Sequence, residues 1–268
     1  MRSWIVIIAI VLSGLASNAQ GKKIHVKAGA TGDGSSWANA YGDLQAALDD
    51  AEPNDDIWVA EGTYTPTGLA DPCDPRSATF QMNSAVAIYG GFPATGEPGW
   101  DDRDRQVYVT ILSGDLLGND EPSTSVADLL DDPCRCENSY HVVTGTNTES
   151  APNTLLDGFT ITAGNADDWP NQSGGGLYRY SGLVNECTIT GNSARSGSGG
   201  MQCEAGHTTV TGCAFTRNSA YHGGGMKLPC FYKVTVSRCT FSNNFANDGG
   251  GIYNYSTLSL TDCTFTRN

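Results

Sequence analysis

Four side chains near the C-terminus recur once per sequence repeat and could present one face to a ligand: Tyr178, Gln202, Lys227 and Tyr253. Phenol rings can stack on the apolar faces of sugars, and a lysine and an amide can hydrogen-bond hydroxyl groups. Tyr180 and Tyr255 stand close by, in "YRY" and "YNY". The chemistry this set supports is glycan binding. Ordinary strand surface also favours tyrosine, so the column is a candidate ligand site and not a signature. Proton abstraction from a substrate would need a base, and the nearest basic candidates are Lys227 and Arg238. The repeat pattern puts those two on different faces. Calcium needs several oxygen ligands, and the adjacent Asp167 and Asp168 are the candidates for it. Hydrolysis of a glycosidic bond needs two carboxylates facing one groove. The repeats carry Glu186, Glu204, Asp248 and Asp262, and no column pairs them.

The elements that must position these residues follow from the repeat itself. "VNECTITGN", "VTGCAFTRN", "VSRCTFSNN" and "LTDCTFTRN" align on Cys187, Cys213, Cys239 and Cys263, and glycine pairs recur in step at Gly175-Gly176, Gly199-Gly200, Gly224-Gly225 and Gly250-Gly251. A unit of about 25 residues with three short alternating patches and no helical period describes one coil of a parallel β-helix, with three short strands per coil. Stacked coils place equivalent residues about 4.8 Å apart. Phe215, Phe241 and Phe265 then form an internal aromatic stack, and Asn192, Asn218, Asn244 and Asn268 form a ladder at the following bend. The glycines are read as the sharp corner. The four cysteines point inward as small buried hydrophobes, since a straight column does not converge on a metal. Arg179 is also directed inward by this register. "LLDGFTITAGNA" extends the pattern backward, with Phe159 in the cysteine column and Asn165 in the asparagine column. Outward residues of the third strand give a T-x-T surface, from Thr160 and Thr162 to Thr264 and Thr266, broken at Ala214 and Ser242. A regular threonine array permits an ice-binding or purely structural role.

The N-terminal part differs. "MRSWIVIIAIVLSGLASNAQ" has one arginine, an apolar run too short to span a bilayer, and small residues before Ala19, so residues 1–19 read as a secretory signal. In "GDLQAALDDA", Leu44, Ala47 and Leu48 share a helical face behind Asp43 as N-cap. A short helix here would cover the open end of the solenoid, as a first coil requires. The expected organisation is a signal over 1–19, a cap over 20–66, and the β-helix over 67–268, regular from about 155. The last coil has no evident cap, which suggests a truncated chain or self-association through that edge. A net charge of −14, from 15 Lys+Arg and 29 Asp+Glu, argues against nucleic acid. Nine cysteines in an exported chain invite disulfides, and Cys73, Cys134 and Cys136, outside the repeat columns, are the candidates.

"GDGSSWANAYGDLQAALDDAEPNDDIWVAEGTYTPT", "AIYGGF", "TILSGD", "NSYHVVTG" and "LDGFTITAGNA" together resemble secreted bacterial right-handed β-helix repeat proteins of the pectin-lyase-like superfamily. The "GGG(I/M/L)" and "C-x-F-x-x-N" units resemble the repeats of chlamydial polymorphic outer membrane proteins. The resemblance covers nearly all of residues 24–268. It implies an all-β, right-handed parallel β-helix. It implies a secreted or cell-surface protein with extracellular polysaccharide or surface glycans as partners. A polysaccharide lyase or glycoside hydrolase is the alternative. For a lyase the superfamily implies an Arg or Lys base and calcium held by clustered aspartates. The scattered acids of these repeats depart from that cluster, so non-catalytic binding and adhesion is the first expectation.

Overall fold

Strands of two to six residues cannot bury an apolar face alone, so this chain stacks them coil on coil. The computed structural model describes residues 21–121, 125–145, 154–204, 206–228 and 233–268, so the expected signal lies outside the described residues. Equivalent strands of successive coils pair parallel, in four sheets. The eight-stranded sheet contains Lys23–Val26, Asp56–Ala60, Ala87–Phe92, Leu155–Asp157, Gly182–Asn185, Thr208–Thr211, Lys233–Ser237 and Thr257–Thr261. The seven-stranded sheet runs from Gly62–Tyr64 to Thr264–Thr266, and the six-stranded sheet from Phe80–Gln81 to Ile252–Asn254.

These three sheets hold the three expected strands of each coil. A fourth, four-stranded sheet was not legible: Asn165–Ala166, Ser193–Ala194, Ser219–His222 and Phe245–Asp248. Its strands begin just past the asparagine bend with residues that do not repeat across all four coils, Asn165, Ser193, Ser219 and Phe245, so no column announces them. Ala166, Ala194 and Ala220 pack there as a small satellite cluster.

The main core is continuous from Ile24 to Phe241. Phe215, Phe241 and Phe265 stack with centroids 4.8 Å apart at each step and planes within 6°. Buried Asn192, Asn218 and Asn244 pass hydrogen bonds from coil to coil as expected. The ladder begins at Gly164, whose N–H donates to Asn192 Oδ1. Asn165 is not its first rung, because it pairs with Ser193, one position further on. The "TAGN" of that coil holds one residue more than "TGN" between strand and asparagine.

Cys187, Cys213 and Cys239 line the interior, and each backbone N–H of the first two meets the next sulfur at 3.4 Å. Burial pushes the Cys213 thiol up, which keeps it protonated and unreactive. Cys73, Cys134 and Cys136 are free thiols, so the disulfide expected among them does not form.

Corners are made by single residues in the left-handed region. Glu186, Gly212, Arg238 and Asp262 have φ of 52°, 64°, 54° and 53°, each between two strands. The glycine runs do two jobs. Gly174, Gly223 and Gly249 turn with positive φ, whereas the pairs that follow permit close approach. A Cβ on Gly225 would lie 2.6 Å from the Gly251 carbonyl oxygen and 3.0 Å from Phe241 Cδ1.

The helix Leu44–Asp50 forms behind Asp43, whose carboxylate accepts from the Gln45 N–H at 2.8 Å. It buries Leu44, Ala47 and Leu48 against the first strands. Strand Lys23–Val26 precedes the helix and already belongs to the eight-stranded sheet, so the cap is inserted after the first strand.

Candidate functional site

The outward column exists as a register. Gln81, Thr144, Tyr178, Gln202, Lys227 and Tyr253 lie opposite one another along the six-stranded sheet. Alternation of side chains along each strand sends Leu177, Met201 and Met226 into the core and their successors outward. Tyr178 to Tyr253 spans three coil steps, about 14 Å at this spacing.

Not every member is free for a ligand. Gln202 is only 4% exposed. Its amide oxygen accepts from the Ser198 N–H, and its nitrogen donates to Glu204 Oε1. Gln202 therefore positions Glu204. Arg179 does not point inward. Its φ of 52° turns it out of the coil, and its Nε donates to Glu204 Oε2 at 2.9 Å while its guanidinium lies 4.9 Å from the Tyr178 ring centroid. This resolves the lone interior charge that strict alternation demanded. Tyr180 goes the other way. It is wholly buried, and its hydroxyl donates to the Leu183 carbonyl oxygen.

Lys227 is half-buried beside Glu204, and burial lowers its ammonium pKa while Glu204 opposes the shift. Arg238 lies elsewhere, at the corner between the eight- and seven-stranded sheets, donating to Thr211 Oγ1 at 3.0 Å. Asp167 and Asp168 do not form a free carboxylate pair. Asp167 is ion-paired with Arg76 at 2.6 Å, and Asp168 accepts from the Trp169 N–H.

Two histidines complete the column. His141 stacks on Tyr178 at 4.2 Å and 17°, and His222 stacks on Tyr253 at 4.6 Å and 18°. Both come from the dipeptide Tyr-His, at 140–141 and 221–222, a recurrence visible in the sequence that the repeat alignment passed over. Tyr221 meets His222 edge-on at 4.6 Å, and Tyr255 meets Tyr253 edge-on at 4.9 Å. Tyr221, His222, Tyr253 and Tyr255 thus form one continuous chain of rings, with Tyr221 and Tyr255 exposed. The hydroxyl contact between Tyr253 and Tyr255 pushes the Tyr253 phenol up to about 12, so it stays neutral.

His141 is buried with Nδ1 3.1 Å from the Gly174 carbonyl oxygen, and desolvation lowers its pKa to about 4. A group depressed from 6.5 to about 4 favours the fold fully above pH 6.5 and loses that contribution as pH falls towards 4, because the unfolded chain binds the proton first. The expected loss is about 3 kcal/mol at pH 4. Chemical denaturation at pH 7 and pH 4 should show this drop in the wild type and a much smaller one in His141→Gln.

Residues 136–268, just under half of the chain, match the family model described as "Right handed beta helix region". No curated protein sequence matches the chain. Among solved structures, pectate lyase Pel9A is similar, with a TM-score of 0.45 and 14% identity. The similarity covers 88% of this chain and 56% of that one, so this chain spans little more than half of the enzyme's length. With the parallel register of the four sheets, the family match makes this chain a right-handed parallel β-helix, the fold its resemblance to pectin-lyase-like proteins implied.

Proposed function

We propose that the protein binds neutral polysaccharide outside the cell, without cleaving it, along the outer face of the six-stranded sheet. The observation that carries this reading is the ring chain Tyr221–His222–Tyr253–Tyr255 beside Lys227. Stacked and edge-on rings at fixed spacing give a rigid platform for sugar faces, and rigidity lowers the entropy lost on binding. Local charges balance, Arg179 and Lys227 against Glu204 and Asp248, while the whole chain carries −14. A strongly anionic polymer would be repelled at long range. No helix among the described residues is long and apolar enough to cross a membrane. The extracellular setting rests on the leader read in residues 1–19.

Affinity electrophoresis against neutral and acidic polysaccharides tests this. Retardation by a neutral polymer is expected. It should fall at least tenfold in Tyr253→Ala/Tyr255→Ala, since each aromatic platform contributes about 1 kcal/mol or more. Equal retardation of wild type and double variant would overturn the assignment of this face.

A lyase is the second reading, favoured by one observation: the half-buried Lys227 amine has a lowered pKa, as a base for proton abstraction requires. Ultraviolet absorbance from unsaturated products on a uronate polymer, lost in Lys227→Met, would support it in place of binding alone. The ice-binding reading is disfavoured by the loop around Arg135. Its guanidinium donates to the Gly164 and Gly191 carbonyl oxygens and so holds that loop beside Thr162 and Thr190, where a flat array would have to be open.

A further inference from the structure

Gln202 and Lys227 are direct partners in the register of the six-stranded sheet, one coil apart and on the same outward face. Their backbones stand about 4.8 Å apart, a gap that the four-carbon lysine stem spans. The Gln202 carboxamide is buried and held at both ends. Its oxygen accepts from the Ser198 N–H at 3.2 Å, and the chain approaches so closely there that a Cβ on Gly197 would lie 2.2 Å from that oxygen. Its nitrogen donates to Glu204 Oε1 at 2.5 Å. The other oxygen of Glu204 accepts from Arg179 Nε at 2.9 Å, which fixes the carboxylate against the amide. Lys227 is half-buried, and burial lowers its ammonium pKa despite Glu204, which raises the share of neutral amine. An amine, a carboxamide, a carboxylate on the amide nitrogen and a backbone N–H on the amide oxygen therefore meet in one place.

We propose that Lys227 and Gln202 join in an isopeptide bond between successive coils, with Glu204 as the proton carrier. The neutral Lys227 amine attacks Gln202 Cδ, and an Nζ–Cδ bond forms. The Ser198 N–H stabilises the negative charge that develops on Oε1. Glu204 takes one proton from Nζ and delivers it to the Gln202 nitrogen 2.5 Å away. The Cδ–Nε2 bond then breaks and ammonia leaves, so no oxidant or further reactant is consumed. The bond ties residue 202 to residue 227 and restricts the unfolded chain as any cross-link does. Its amide N–H keeps a hydrogen-bond donor beside the rings, with one charge fewer. It excludes the lyase reading, since an acylated amine takes up no proton. The link stands whether or not this face binds glycan.

Peptide mass spectrometry on the folded chain tests the bond. After reduction, denaturation and trypsin, residues 196–217 should appear joined to residues 218–233, at the summed mass less one ammonia, because trypsin does not cut after an acylated Lys227. Lys227→Arg should give no joined species. Glu204→Gln keeps both reacting groups and should lower the yield about tenfold or more at equal time. The proposal is overturned if wild-type chain, kept folded at mildly alkaline pH where the amine is neutral more often, gives only the separate peptides 196–217 and 218–227. It is equally overturned by a joined yield that Glu204→Gln leaves unchanged. The wild-type arm decides the matter even where a variant does not fold.

Discussion

Phe241→Ala should lower the unfolding free energy by about 3–5 kcal/mol. Phe241 is fully buried and lies between two parallel rings, each 4.8 Å away. Alanine there removes the packing of Phe215 and Phe265 at once and leaves a cavity along the coil axis. The surroundings have little freedom to close it, because Gly225 and Gly251 hold the adjoining backbone at a spacing that has no room for a Cβ. Urea denaturation checks the value, and a loss under about 1 kcal/mol would mean that the coils collapse inward more readily than such close packing allows. Phe241→Leu keeps most of the volume and should cost about 1 kcal/mol.

Asn218→Ala should cost a similar amount, about 3–5 kcal/mol, for a different reason. The side chain is fully buried and occupies all of its partners. Its Oδ1 accepts from the Asn192 backbone N–H and Nδ2, and its Nδ2 donates to the Ile189 carbonyl oxygen and to Asn244 Oδ1. Truncation strands several buried polar groups, each at about 1–3 kcal/mol before relaxation. Asn218→Asp sharpens the test. It keeps the shape and both acceptor roles but sets an oxygen against Ile189 O and Asn244 Oδ1. It should be at least as damaging at pH 7 and recover in acid, where protonation restores a donor. Hydrogen exchange should show the loss spreading first to the neighbouring coils, since each coil is held by those beside it.

Much of this architecture was legible in the residues. The recurrence of Cys, Phe and Asn at fixed offsets fixes which side chains stack, because only one register brings Phe215 over Phe241 and Asn192 over Asn218 at once. The cap helix was legible because Asp43 and the apolar face of Leu44, Ala47 and Leu48 speak through local chemistry. What escaped depends on single backbone dihedrals. Strict alternation puts Arg179 inside, and a positive φ at that one residue turns it out to Glu204. One extra residue in "TAGN" shifts Asn165 off the ladder. The four-stranded sheet was missed because its strands open on no one recurring residue, but on Asn165, Ser193, Ser219 and Phe245, with no column to mark them.

The site was half legible. The column Tyr178, Gln202, Lys227 and Tyr253 is real as a register, but its chemistry comes from outside the column. His141 and His222 reach it from preceding segments, and Glu204 and Arg179 come from strand ends that alternation does not describe.

Glycan binding by the six-stranded face is most directly tested by marking one face at a time. Lys227→Glu would alter the ring platform, and Thr216→Lys the opposing candidate, the threonine face of the seven-stranded sheet. Calorimetry with the neutral polymer that retards the wild type should show affinity lost about tenfold or more in Lys227→Glu, where a hydrogen-bonding cation is replaced by a charge that also repels Glu204, and unchanged in Thr216→Lys. The reverse pattern, with binding intact in Lys227→Glu and lost in Thr216→Lys, would contradict the account and move the ligand to the threonine face.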